Sequence, residues 1–363
     1  MSPESRERFE MITSNVELTA RINGAAYSFL SEGGGRKKAA FFGEKRVIDL
    51  VYAEGRRERV ASLTDLYPTL ISLDNFEEHA DRLQDLKVIF STWSMPSLGP
   101  AELDRLPSLK AVFYAAGSVQ DFAYPLFKRN ILVVSAWRAN AIPVAEFTVA
   151  QILLSTKAYW SNSRKFQQPD HFPGFHGRGN YGATVAILGA GAIGSAVIER
   201  LKPFRLKVVV FDPFLSNEDA VRLGVEKVSL RDAFERAYVV SNHLADVPET
   251  RGVLDAGLFV RMPPNATFIN TGRGATVAER EMISVLRKRP DLTVLLDVTW
   301  PEPPDPDSPL FSLPNVWLSP HIAGSVGDEV LRMADFCIEE FCAWEKGEAL
   351  RYAVSPSMLA NLA

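Results

Sequence analysis

The run ATVAILGAGAIGSAVIERL, from Ala183 to Leu201, limits what this chain can fold into more than any other stretch. A β-branched strand pattern runs into Gly189, Gly191 and Gly194 and then directly into a helical pattern that opens at Ala192 and Ile193. That is the context a dinucleotide-binding turn requires. Gly189 permits the tight turn, Gly191 lets the backbone approach a pyrophosphate, Gly194 allows helix and strand to pack closely, and the helix start offers free N–H groups and a positive dipole end. A second strand pattern, KVVVF, ends in Asp212, eighteen residues past Gly194. A carboxylate there can accept hydrogen bonds from the adenosine ribose hydroxyls. Pro213 and Phe214 follow it, with no arginine to neutralise a ribose 2′-phosphate, so the expected cofactor is NAD.

Around this turn, apolar strand patterns alternate with helical stretches along most of the chain. AAFF, TLIS, KVIFS, KAVFY and ILVVS precede it, and KVVVF, EKVSL, YVVS, ATFIN, TVLLD and NVWLS follow. Such alternation implies parallel sheets covered by helices on both faces. The expected fold class is α/β, with two doubly wound parallel-sheet, Rossmann-like lobes and an active-site cleft between them. Residues 1–35 read as a polar N-terminal extension ending in a flexible SEGGG joint, 36–140 as a substrate-binding domain and 141–324 as the NAD-binding domain. Residues 325–363 read as a C-terminal helix returning to the substrate domain. Between the lobes, a helix is expected to start near Val144, followed by an exposed connection rich in Pro and Gly.

Composition narrows the partners. The 363 residues carry a formal charge of −4, which argues against nucleic acid or an anionic membrane surface as a bulk partner. No apolar run approaches the ~20 residues of a membrane span, and the first residues lack the apolar core of a signal peptide, so a cytoplasmic protein is expected. Cys337 and Cys342 stand five apart on one helical pattern and point in different directions. They read as buried core thiols, not as a disulfide or metal pair.

Three ionisable residues stand just past successive strands of the second lobe: Arg273 in NTGRG, Glu302 in TWPEPP and His321 in PHIAG. Ligands of open α/β sheets bind outside the carboxyl ends of the strands, so these side chains can converge beside the nicotinamide end of the cofactor. Singly, each has a duller fate, as a surface ion pair, a solvated acid or a loop histidine. Together they form a coherent device. A planar guanidinium can grip a carboxylate and polarise an adjacent ketone, an imidazole can pass a proton to the oxygen, and a carboxylate on the far ring nitrogen orients that imidazole and favours its protonated form. His243, after YVVS, either lines the dinucleotide cleft or serves the packing. His79, His171 and His176 lack metal-ligand companions and read as structural or solvated, and no metal site is expected. Trp93, Tyr114 and Trp300 are large aromatics near strand ends, candidates for setting substrate size.

The segments GAGAIG, FDPF, PETRGVLDAGLFVRMPPNATFINTGRG, LDVTWPEP and NVWLSPHIAG together resemble the D-isomer-specific 2-hydroxyacid dehydrogenases, over roughly Lys87 to Gly324. The resemblance implies a two-lobed NAD-dependent enzyme that interconverts 2-oxo acids and D-2-hydroxy acids. It implies Arg273, Glu302 and His321 as the catalytic Arg, Glu and His, and Asp297 as the acid that contacts the nicotinamide carboxamide. Thr271, Gly272, His243, His321 and Gly324 fall with the cofactor-binding positions. AGSVQDF is similar to the family's carboxylate-binding loop, which makes Ala116, Gly117 and Ser118 substrate-binding positions together with Arg273 and His321. Glu302 stands where the related formate dehydrogenases carry Gln. A homodimer formed through the cofactor lobe and a small 2-oxo or 2-hydroxy acid as partner are also implied. Because the pyrophosphate site and the carboxylate loop lie on different lobes, opening and closing about hinges near Asn140 and Gly324 is expected. The alternative from another class is an NAD-sensing binding protein similar to the C-terminal-binding corepressors, on the same fold.

Overall fold

The computed structural model describes residues 35–166 and 177–359. Two sheets organise them. The first carries β1 (Lys38–Phe41), β2 (Asp65–Leu66), β3 (Val88–Ser91), β4 (Ala111–Tyr114) and β5 (Leu132–Ser135). The second carries β6 (Tyr181–Leu188), β7 (Arg205–Phe211), β8 (Glu226–Lys227), β9 (Val239–Asn242), β10 (Thr267–Asn270), β11 (Thr293–Leu296) and β12 (Val316–Leu318). A last strand, β13 (Ala353–Val354), returns to the first sheet and pairs antiparallel with β5. All other pairings between these strands are parallel.

The strands are apolar along their length because both faces of each sheet are covered. In the first sheet Ala39, Phe41, Val88, Phe90, Ala111 and Phe113 feed one core, while the alternate residues Ala40, Phe42, Ile89, Val112 and Tyr114 feed the other. The second sheet divides in the same way, with Ala186, Val240, Phe268 and Val294 on one side and Val185, Val239, Ile269 and Leu295 on the other. The period of two along a strand produces this split directly.

Strand order locates the crevices. The second sheet runs β12-β11-β10-β9-β6-β7-β8, so the chain leaves β6 in one direction and resumes at β9 on its other side. The first sheet runs β13-β5-β4-β3-β1-β2 and reverses between β1 and β3. Connections diverge at such a switch point and leave a gap beyond the carboxyl ends of the strands, where ligands bind.

Three helices join and cover the lobes. Helix α1 (Trp137–Thr156) packs Ala145 and Ile152 against Val197 and Ile198 of α2 (Ala192–Leu201). The starting point expected near Val144 is corrected: α1 begins at Trp137 and carries Pro143 inside it. A proline lacks one N–H and suggests a helix start. Here the preceding turn holds, with Asn140 N donating to Ala136 O at 3.1 Å and Ala139 and Ala141 buried. Helix α3 (Glu329–Glu345) lies on the first sheet, where Phe341 meets Phe90 and Phe113 edge-on at 5.3 and 5.5 Å.

The reading of residues 325–363 as a helix alone is corrected, because β13 follows it. The buried carboxylate of Glu340 on α3 accepts from the backbone N–H groups of Arg351 and Tyr352 at 2.9 and 3.0 Å and so brings β13 to its place. TLIS forms only an isolated bridge, Phe42 with Ile71, and the edge strand lies earlier, at Asp65–Leu66. Cys337 is buried, whereas Cys342 is only partly buried, and both are free.

Candidate active site

The glycine turn follows β6 directly, and each glycine has a separate task. Gly189 has φ +88°, and a Cβ on it would lie 2.8 Å from the His243 carbonyl oxygen. A Cβ on Gly194 would lie 1.9 Å from the Gly189 carbonyl oxygen. Those two permit the fold itself. Gly191, the N-cap of α2, has nothing within 4 Å of its would-be Cβ, which leaves the open approach that a pyrophosphate needs. Ala192 and Ile193 form the first turn of α2 beyond it. Asp212 closes the turn from β7: its Oδ2 accepts from Ala190 N at 2.7 Å, and its Oδ1 accepts from Phe214 N and Leu215 N at 2.7 and 3.1 Å. A carboxylate has about four acceptor positions, so Oδ2 keeps capacity for a ribose hydroxyl. The residues present fit a nicotinamide dinucleotide.

Beyond β9, His243 is wedged between the glycine turn and Gly272, whose would-be Cβ stands 3.3 Å from His243 Cα. Its Nε2 meets Ser241 Oγ at 2.9 Å and its Nδ1 faces Thr271 Oγ1 at 3.4 Å. Thr271 in turn shares a 3.0 Å hydrogen bond with Thr148 of α1. Burial pushes the His243 imidazole down to about 3, so it is neutral at ordinary pH.

Arg273 follows β10. Its backbone carbonyl accepts from Thr276 Oγ1 at 2.8 Å and from Asn270 Nδ2 at 3.3 Å, while Asn242 Nδ2 donates to Asn270 Oδ1 and Thr276 Oγ1 at 3.0 and 2.9 Å. These three buried polar side chains hold the arginine's turn from beneath. Burial pulls the guanidinium downward from its usual range, and the charges of Glu302 and Asp246 oppose that pull. Gly274 locks this turn to the next one, because a Cβ there would stand 2.0 Å from the Thr299 carbonyl oxygen. Sequence reasoning missed Gly274 and the Asn242–Asn270–Thr276 network. The only sign of the former is the second glycine of NTGRG.

Glu302 Oε1 lies 2.6 Å from His321 Nδ1, with both side chains still open to solvent. His321 has φ +54°, a left-handed conformation that a residue with a Cβ adopts only when its surroundings impose it. Asp297 supplies the restraint. Its Oδ1 accepts from Ser319 Oγ at 2.6 Å and Ile322 N at 2.9 Å, its Oδ2 from Ala323 N at 2.9 Å, and its carbonyl from His321 N at 3.0 Å. The carboxylate implied for the nicotinamide carboxamide thus also clamps the histidine loop, with acceptor capacity left on Oδ2 alone.

The first lobe reaches this group through Asn140. Its Oδ1 accepts from Ser325 N at 2.9 Å and stands 3.1 Å from a would-be Cβ on Gly324, while its Nδ2 is 3.5 Å from one on Gly117. Ser135 Oγ donates to the carbonyls of Ala116 and Gly117 at 2.8 and 2.5 Å, and Ser118 follows in the same loop. Trp93 and Trp300 are 45% and 59% exposed at loops past β3 and β11. Tyr114 is corrected: it packs edge-on to Phe122 at 4.8 Å inside the core, where burial drives its hydroxyl upward. His79 bonds Tyr67 at 2.9 Å, while His171 and His176 lie outside the described residues. Among the described residues there is no cluster of three potential metal ligands and no helix long and apolar enough to cross a membrane.

A switch-point glycine turn, an acid at the end of the next strand and a polar cluster past β10, β11 and β12 define a nicotinamide dinucleotide-binding α/β protein. The chain matches the D-isomer specific 2-hydroxyacid dehydrogenase, NAD binding domain, over residues 149–323. It is 31% identical over 232 residues to a D-3-phosphoglycerate dehydrogenase of Archaeoglobus fulgidus, a match that covers 63% of this chain and 44% of that protein. A glyoxylate reductase of Korarchaeum cryptofilum is 28% identical over 274 residues, covering 74% of this chain and 82% of the relative. Among solved structures, a phosphoglycerate oxidoreductase from Rhizobium etli superposes with a TM-score of 0.75 at 24% identity, covering 89% of this chain and all of that one. That likeness is one of fold. The chain spans less than half the length of the Archaeoglobus relative.

Proposed function

We propose that the protein is an NAD-dependent oxidoreductase that interconverts a 2-oxo acid and a D-2-hydroxy acid, with residues 36–140 and 325–363 as the substrate lobe and 141–324 as the cofactor lobe. The observation that carries this is the 2.6 Å contact of Glu302 with His321 Nδ1, beside a desolvated Arg273 whose charge Glu302 supports, next to the dinucleotide turn. The balanced reaction is 2-oxo acid + NADH + H⁺ ⇌ 2-hydroxy acid + NAD⁺. The bound nicotinamide supplies or takes up the hydride.

Each protein group has one task in it. Arg273 grips the α-carboxylate and polarises the ketone with its parallel N–H donors. His321 presents Nε2 to the substrate oxygen, donating a proton in reduction and accepting it in oxidation, while Glu302 holds Nδ1 and so orients the ring. Ala116, Gly117 and Ser118 offer backbone N–H groups to the carboxylate from the other lobe, and Asp212 favours NAD(H) over NADP(H) through its charge. Closure about Asn140 and Gly324, where Ser325 N already donates to Asn140 Oδ1, would bring the two half-sites together and exclude water. A homodimer formed through the cofactor lobe belongs to this reading.

The test is loss of NADH absorbance with a panel of 2-oxo acids, with the assembly state read by light scattering. Turnover in which NADH outperforms NADPH is expected. Tight NADH binding with no turnover of any 2-oxo acid would instead favour an NAD-sensing protein.

A further inference from the structure

The loops around this site expose apolar surface that the reaction itself does not use. Trp93 and Trp300 on these loops are 45% and 59% exposed, and Ile322 and Val326 are 42% and 51% exposed. Hydrogen bonds and one close approach link these loops in turn. The Trp93 loop is joined to the β4 loop by Thr92 Oγ1 donating to Ala115 O at 2.8 Å. The β4 loop reaches Asn140, Asn140 holds Ser325, and the segment from Ser325 back to His321 is clamped by Asp297. Glu302, two residues past Trp300, then bonds His321. Trp93 also stands at the switch point of the first sheet, between β1 and β3. There Ser94 Oγ accepts from Glu44 N at 2.8 Å and lies 2.5 Å from a would-be Cβ on Gly43.

Charge on these loops is equally informative. Among the described residues of these loops Arg273 is the fixed cation, while Glu44, Asp121 and Glu302 are anions. The neighbouring cations are engaged or set on helices. Arg251 pairs with Asp246, Arg138 lies 5.0 Å over the Trp137 ring beside Tyr352, and Lys45 and Arg46 open the helix Lys45–Val51, where Lys45 pairs with Asp49. The Arg273 guanidinium is taken by the 2-oxo carboxylate, and Arg251, 6.0 Å over the Trp300 ring, is already neutralised by Asp246. A second carboxylate or a phosphate on the substrate would therefore meet the anions without a free cation as partner. An aromatic-sized apolar group would instead cover the two indoles and gain their area.

We infer that the substrate is a 2-oxo monocarboxylate bearing a bulky apolar side group, with Trp93 and Trp300 as the walls that select it. This rests on the proposed function and narrows it to one substrate class. The experiment measures kcat/KM with NADH for glyoxylate, pyruvate, phenylpyruvate, oxaloacetate and 3-phosphohydroxypyruvate on the full chain. Phenylpyruvate is expected to exceed pyruvate by at least about ten-fold, and Trp93→Ala and Trp300→Ala each to reduce that ratio by about ten-fold. A preference for glyoxylate or pyruvate overturns the inference and leaves the oxidoreductase reading standing. A preference for oxaloacetate or 3-phosphohydroxypyruvate also overturns it, and transfers the side group to Arg46 or Arg138. If no 2-oxo acid turns over, thermal shifts with NAD⁺ decide it separately. 3-Phenyllactate should raise the melting temperature more than lactate or malate, and an equal or smaller shift overturns the inference.

Discussion

At the site end of the cofactor lobe, backbone meets backbone. A Cβ on Gly274 would stand 2.0 Å from Thr299 O, and one on Gly194 would stand 1.9 Å from Gly189 O. At the site end of the first lobe, single hydroxyls hold the loops: Ser135 on the carbonyls of Ala116 and Gly117, Thr92 on Ala115, Ser94 on Glu44. A contact between main chains tolerates no adjustment, because any side chain would have to displace a carbonyl. A hydroxyl bridge contributes about 1 kcal/mol and can be replaced or bypassed by water. The difference teaches that this fold holds the loops of Arg273 and Thr299 where geometry is least adjustable, and the loops of the first lobe where it is most adjustable.

The comparison can be broken most directly at the reacting groups. His321→Ala should cost on the order of 10³-fold in kcat, and Arg273→Ala at least ~10²-fold in kcat/KM, with NADH affinity nearly intact in both. Steady-state kinetics beside a binding titration would check this, and unchanged kinetics would return Arg273 to a surface ion-pair role. A sharper form sets Gly274→Ala against Ser135→Ala. The first must separate the turns of Arg273 and Thr299 and should lose about 10²-fold in kcat/KM, whereas the second should lose less than about ten-fold. Equal losses would mean that the two lobes do not differ in this respect.

Within the glycine turn, Gly191→Ala should leave the melting temperature unchanged and weaken NADH binding by about ten-fold or more, since its Cβ enters only the space a pyrophosphate uses. Gly194→Ala should lower both. Calorimetry of the two variants beside the wild type separates a binding glycine from a packing one.

Glu302→Gln tests the orientation of the ring. Glu302 Oε1 lies 2.6 Å from His321 Nδ1, and an amide in its place should lower kcat by about ten-fold or more while leaving NADH affinity nearly unchanged. Wild-type turnover in this variant would assign the proton to another residue.

The smallest effect belongs to His243. Burial lowers its imidazole from 6.5 to about 3, so the unfolded chain binds a proton that the folded chain refuses between those values. Its contribution to stability is therefore unchanged above pH 6.5 and is lost progressively as pH falls toward 3. His243→Asn should flatten that acid-side decline in melting temperature by a few degrees and leave the curve above pH 7 unaltered.

Much of this protein can be read from local pattern, because the controlling interactions are local. Strand-helix alternation, the three glycines of the turn, Asp212 eighteen residues beyond and three ionisable groups just past successive strands all follow from sequence spacing and the period of each element. Two-sided burial likewise shows in the apolar runs of β3, β4 and β9. The features decided elsewhere depend on residues far apart in the chain. Helix α1 continues back through Pro143 because its first turn is buried. Tyr114 turns into the core. The Glu340 carboxylate on α3 recruits β13, and Asp297 holds His321 in a left-handed backbone conformation through three side-chain acceptor bonds. Gly274 looks like any loop glycine until the Thr299 carbonyl is brought against it. Sequence period assigns a residue to a face, but which backbone that face meets, and at what distance, is known only once both lobes are packed.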